Sequence, residues 1–162
     1  MLFLNRFNGF GTLAPAGGIV TAQYWRINVT ALNGGDPTGA ISDMTFKDSG
    51  GSAISVAGGT ASASSSAGGN APANAFDGDA NNDWAFTTGV SQWVKMAFSG
   101  TVTPYSLDMQ GVNASYPAQS VNAPSAFDIQ YSLDDISWFT IVSPSGQTGW
   151  TAGEVRNFVI QS

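Results

Sequence analysis

The chain contains no cysteine and no histidine. The first absence removes disulfides, thiolate nucleophiles and cysteine-ligated zinc together. The second removes a serine triad, a histidine-held metal and a histidine general base, so any proton transfer would rest on carboxylates, lysine or tyrosine. Basic residues are nearly as scarce: five, at Arg6, Arg26, Lys47, Lys95 and Arg156, stand against 11 acidic ones, for a net charge of −6. Scattered in this way they form no stripe able to neutralise phosphates, which argues against nucleic acid as a partner. Long apolar runs are missing too. None approaches the roughly 20 residues that cross a bilayer, so no membrane insertion is expected. The opening MLFLNRFNGFGTLAPAGG is interrupted by Asn5 and Arg6 and has no basic leader before a clean apolar core, so it does not read as a signal peptide.

What is present is small, polar and alternating. Hydrophobic residues make up 43% of the 162, charged ones only 10%, and 20 glycines are joined by many Ser, Thr, Ala and Asn. That profile suits one all-β domain with many short turns and an uncharged polar surface. A hinge at APAGGIV divides an apolar arm, residues 1–20, from a domain spanning residues 21–162. YWRINVTAL places Trp25, Ile27 and Val29 on one face, and ISDMTFKD sets Met44 and Phe46 against Ile41, Asp43 and Thr45. NGGDPTG between them is turn chemistry. GGTASASSSAGGNAPA reads either as a strand of tiny residues packed closely against a neighbour or as a disordered linker. Further on, Leu107 and Met109 share a face with Tyr105, and Phe127 and Ile129 with Tyr131. SLDDIS between two alternating runs predicts a hairpin turn. Seven to nine strands arranged this way predict a β-sandwich or jelly roll.

The acids gather in one place. NAFDGDANNDWAF, from Asn74 to Phe86, sets three aspartates and three asparagines between aromatic residues. Three readings of it stand open: a cation site, an Asx turn at Asp77 and Gly78 with Asn81 and Asn82 capping backbone groups and Asp83 solvated, or a catalytic pair of carboxylates. No nucleophile or second polar cluster accompanies the pair, so the chain is not expected to be an enzyme. Trp84 is expected in the core beneath this loop. Trp25, Trp93 and Trp138 lie in strand patterns and read as core or sheet-surface packing. Trp150, in SGQTGWTAGE, and Tyr116, in NASYPAQS, lie outside any strand pattern. They are the candidates for an exposed glycan contact, the alternative being that loop aromatics cover the end of the sandwich.

Taken in order, YWRINV and ISDMTF, then GGTASASSSAGGNAPANAFDGDANNDWAF, QWVKMAF, PSAFDIQYSLDDISWFTI and GWTAGEVRNFVI, over residues 24 to 160, resemble the discoidin or coagulation-factor type C family. The resemblance implies a galactose-binding-like jelly-roll β-sandwich, to which the N-terminal extended arm read from residues 1–20 is added. It also implies a structural calcium in the DG loop, held by Asp77, Asp79 and Asn82 and closed by Glu154, the only glutamate in the chain. Members of the family often close their termini with a disulfide, which this chain cannot do. Membrane-binding members present basic residues that are missing here.

The YWRI opening and GEVRNF close look most like copies carried by tailed-phage virion proteins. The expected role is therefore a non-enzymatic virion component of tail or capsid, made in the host cytoplasm, that attaches to neighbours or to a host glycan. The alternative is a carbohydrate-binding module of a bacterial glycan-degrading system. A chain that begins at a methionine with neither a signal nor a joined catalytic domain favours the virion. Leu2, Phe3, Leu4, Phe7 and Phe10 exceed what the sandwich needs, and the arm is expected to dock on another virion protein or a second copy rather than fold back over its own domain.

Overall fold

The computed structural model describes residues 18–34, 38–87 and 89–162. The apolar positions expected in the arm, Leu2, Phe3, Leu4, Phe7 and Phe10, lie outside the described residues, as do Gly35, Asp36 and Pro37 of the NGGDPTG turn. In chain order the described strands are β1 (Ala22–Leu32), β2 (Gly39–Ile41), β3 (Asp43–Lys47), β4 (Thr60–Ala63), β5 (Trp84–Phe86), β6 (Gln92–Val102), β7 (Ser106–Gln110), β8 (Pro124–Ser132), β9 (Phe139–Val142) and β10 (Val155–Val159). They form antiparallel sheets in the orders β4-β6-β1-β8-β9, β10-β7-β3 and β2-β5. The chain is thus the expected all-β sandwich.

The period-two pattern decides which faces meet. Trp25, Ile27 and Val29 of β1 are fully buried, as are Ile129 and, nearly, Phe127 on β8 and Leu107 and Met109 on β7. Aromatic rings carry the contact from sheet to sheet. Phe98 of β6 meets Phe46 of β3 at 5.9 Å between ring centroids, Phe46 meets Trp25 at 6.0 Å, Trp25 meets Tyr131 at 5.7 Å, and Tyr131 stacks on Phe139 of β9 at 5.5 Å. Towards the other end Phe127 meets Phe158 of β10 edge-on at 5.0 Å. Each such side chain contributes roughly 1.5–3 kcal/mol by leaving water, and the ring pairs somewhat more.

The small-residue segment divides. Thr60–Ala63 is a strand on β6, while the residues that follow are irregular and held by Ser64 N–H to the Trp93 carbonyl and Ala67 N–H to the Ala85 carbonyl, both bonds from the backbone. Trp93 and Trp138 lie on the outer face of the larger sheet, half-buried. The Arg26 guanidinium sits 4.1 Å from the Trp138 ring centre and 5.7 Å from that of Trp93, and Arg26 Nε donates to Gln130. The SLDDIS hairpin is present. The Asp134 carboxylate accepts from the N–H groups of Ile136 and Ser137 at 2.9 and 2.7 Å, and Asp135 beyond it binds Lys95 at 2.6 Å.

With no disulfide available, the two ends of the described chain are joined by an amide. Gln161 Oε1 accepts from Val20 N–H at 2.7 Å, while its Nε2 donates to the carbonyls of Val20 and Pro104 at 3.2 and 2.6 Å. Val20, placed in the arm by the sequence reading, is buried with the sandwich. We predict that Gln161→Leu lowers unfolding stability by about 1–3 kcal/mol, because it strands the Val20 and Pro104 backbone groups. Urea unfolding should show a lower midpoint at unchanged slope; an unchanged midpoint would mean that water replaces the amide without loss.

Candidate functional site

The connections beyond the C-terminal end of β1 gather at one end of the sandwich, and the acidic loop is tied into them. Asp77 ends a 3-10 turn, Pro72–Phe76, and its Oδ1 accepts from Asp79 N–H at 2.9 Å, the geometry of an Asx turn. Gly78 supplies the left-handed backbone, φ 76°, that lets the chain reverse there. Asp77 Oδ2 accepts from the Asn82 amide at 2.9 Å, and Asp79 Oδ1 accepts from Asn81 N–H. The loop is then stitched to residues 110–115: Gln110 Nε2 and Ala114 N–H both donate to the Ala80 carbonyl, and the Ser115 hydroxyl donates to Asn81 Oδ1. Trp84 closes the floor, fully buried, its indole N–H on the Ser65 carbonyl. The Asx turn is as the turn reading has it, with two changes. The Asn81 and Asn82 side chains bond the side chains of Asp79, Ser115 and Asp77 rather than capping backbone groups. Asp83 is buried rather than solvated, and that burial pushes its carboxyl above the usual range while a bond to the Asn113 side chain pulls the other way.

The four residues expected to hold calcium are not brought together. Asp77, Asp79 and Asn82 share the turn, but Glu154 is committed elsewhere. Its Oε1 binds Arg156 Nε at 2.6 Å, and its Oε2 accepts from Thr151 N–H at 2.9 Å. Hydrogen bonds from Arg156 first, then from the Thr151 backbone, hold the Glu154 carboxyl down to about 2. Among the described residues no group of three or more acidic side chains could hold a metal ion. The donor set therefore does not fit a four-ligand calcium site. The Glu154 carboxylate is instead paired with Arg156, two residues on.

Trp150 is the second correction. It is 3% exposed, with its indole N–H on the Pro124 carbonyl. The Arg156 guanidinium lies 4.0 Å from its ring centre, and Gly111 approaches so closely that a Cβ there would stand 2.9–3.1 Å from three indole carbons. No face is left for a sugar; Trp150 covers the end of the core. Tyr116 is 57% exposed and leads into the 3-10 turn Pro117–Asn122. That turn forms one wall of an open cleft of about 220 Å³ lined by Asn33, Ser120, Val121, Gly149 and one edge of Trp150. The sequence did not single out Asn33, Ser120 or Val121, since each is an ordinary polar or aliphatic loop residue until the loops converge.

Two predictions follow from these contacts. Asp77→Ala should cost about 0.5–2 kcal/mol through the lost turn bonds, equally in calcium and in chelator. A stabilisation by calcium that the substitution abolishes would restore the metal reading. Acid should also unfold the protein by a stated route. Asp134, held at about 2 by the Ser137 and Ile136 N–H groups, and Glu154, also at about 2, each have a folded value below their ordinary 3.8 and 4.5. Their contribution is complete above those ordinary values and is lost as pH falls towards about 2. Glu154→Gln should flatten the fall in melting temperature between pH 4.5 and 2; an unchanged slope would show that the Arg156 pair adds nothing.

The F5/8 type C domain model matches residues 60–161, from β4 to the end of the described fold. No curated protein and no solved structure gives a significant match.

Proposed function

Because the chain belongs to the F5/8 type C domain family, whose sandwiches are generally non-catalytic, galactose-binding-like binding modules, we propose that it binds a host-surface glycan as a component of a phage virion. The observation that carries the glycan reading is the loop-end cleft. It is concave and of monosaccharide scale, and the Ser120 hydroxyl and Asn33 amide lie among its walls, with the exposed Tyr116 ring at the start of the turn that bounds it. Hydroxyl and amide groups match sugar hydroxyls, and an aromatic face matches the apolar face of a pyranose. Asn33 is rigidly set, its amide nitrogen donating to the carbonyls of Ala123 and Gln147 at 3.0 and 2.9 Å, which leaves its Oδ1 as the acceptor. Placement on tail or capsid is supported by the YWRI and GEVRNF forms of the sequence and by the apolar residues Leu2, Phe3, Leu4, Phe7 and Phe10, which suit attachment to a second copy or another virion protein.

A glycan array probed with the full chain should give a restricted set of binders, and Tyr116→Ala should weaken them about tenfold, the effect of losing roughly 1.4 kcal/mol of stacking. Trp150→Phe should lower stability, because it strands the Pro124 carbonyl that the indole N–H now meets. Binding untouched by Tyr116→Ala and by Ser120→Ala would move the ligand away from this end. Antibody against the chain should decorate purified particles in electron micrographs; particles without label would remove the virion placement and leave the binding module.

A further inference from the structure

A second concavity lies on a different part of the surface from the cleft beside Tyr116. Here β3 and the segment 53–57 flank a groove of about 410 Å³ whose walls include Met44, Ile54, Val56 and Phe76. Its end is acidic. Asp77 and Gly78 line it, and Gly78 N–H donates to Asp43 Oδ1 at 3.1 Å, which brings the two carboxylates to the same point. Neither has a cation. Asp77 is satisfied by Asp79 N–H and Asn82, and among the described residues the ion pairs are Lys47 with Asp108, Lys95 with Asp135 and Arg156 with Glu154. Arg26, the remaining described cation, is held between Trp138, Trp93 and Gln130. Burial first, with the charge of Asp77 added, pushes the Asp43 carboxyl above its usual range, and a cation seated beside it would reverse that.

The fifth basic residue, Arg6, lies outside the described residues; in sequence Leu4 stands two residues before it, across Asn5, and Phe7 directly after. An apolar groove closed by two carboxylates is complementary to an arginine set among large apolar side chains, whose methylene stem covers apolar wall while its fork meets the acids. We propose that the groove between β3 and residues 53–57 receives the segment around Leu4, Arg6 and Phe7 of a second copy of this chain. The inference rests on the attachment role given above to the N-terminal segment and names the surface that segment engages.

Because the chain has no cysteine, an introduced pair reports the contact without background. Full-length Phe7→Cys and Ala57→Cys chains, made separately, mixed and oxidised, should give a disulfide-linked heterodimer, and Arg6→Glu in the first chain should suppress it. Light scattering should show full-length wild type associating, with association weakened about tenfold or more by Arg6→Glu, as expected for one partly desolvated charge pair. Ser55→Lys, which places a cation in the groove at an exposed position, should weaken it similarly, and the two changes together should restore it. A double-cysteine chain that closes on itself at high dilution, with no intermolecular product, would overturn the second-copy assignment. Association lost on deleting residues 1–17 but indifferent to Arg6→Glu and Ser55→Lys would overturn the groove and leave the attachment role standing. A wild type that stays monomeric at all concentrations would overturn both.

Discussion

The row of rings from Phe98 through Phe46, Trp25 and Tyr131 to Phe139 is the interaction on which the rest depends. Two sheets of this size, with no cysteine to link them, rely on apolar burial to hold them face to face, and small alternating residues supply little of it per position. Large rings concentrate the burial at a few points. They cross between sheets at β3, where Phe46 stands between Trp25 and Phe98, so the register of the smaller sheet on the larger is set there. In the same smaller sheet β10 pairs with β7, and the end of β10 lies beside the start of β1. Gln161 can then close the chain with three hydrogen bonds.

Scarcity of positive charge shapes the surface as strongly. Each described cation is spent inside the fold, on Asp108, on Asp135, on Glu154 with Trp150, or between Trp138 and Gln130. Arg156 shows how one residue settles several questions. It covers the indole of Trp150, withdraws Glu154 from the acidic loop and reaches the Thr148 carbonyl at 3.0 Å, so the segment before β10 is fixed as a cap on the core. Asp43 and Asp77, two of the carboxylates without an ion pair, then lie next to an apolar groove. The hydroxyls and amides of the loops face the cleft at the sandwich end. The two concavities differ in chemistry because no described cation lies in the acidic end of the groove, while the cleft is walled by a hydroxyl and an amide.

The sandwich itself was legible residue by residue. Trp25, Ile27 and Val29 alternate, and alternation on a strand has one physical meaning when one face is buried. Asp77 with Gly78 announced a turn, and Asp134 within SLDDIS a hairpin, because those bonds run between residues two or three apart. Tyr116, in NASYPAQS outside any strand pattern, is exposed. Trp150 looked the same and behaves oppositely, since what buries it is Gly111, 39 positions earlier, together with Pro124 and Arg156.

The sequence by itself determined the strand pattern, the composition of the core and the chemistry that is impossible here, because period, propensity and residue inventory act locally or not at all. It also determined the turn at Asp77, whose partners are Asp79 and Asn82. Tertiary structure alone decided where Glu154 points, that Asp83 is buried, that Trp150 is covered and that Asn33 meets Ser120 and Val121 in one cleft. Each of those depends on which loops the paired strands carry to the same end. That is set by long-range register, and no local stretch of the chain contains it.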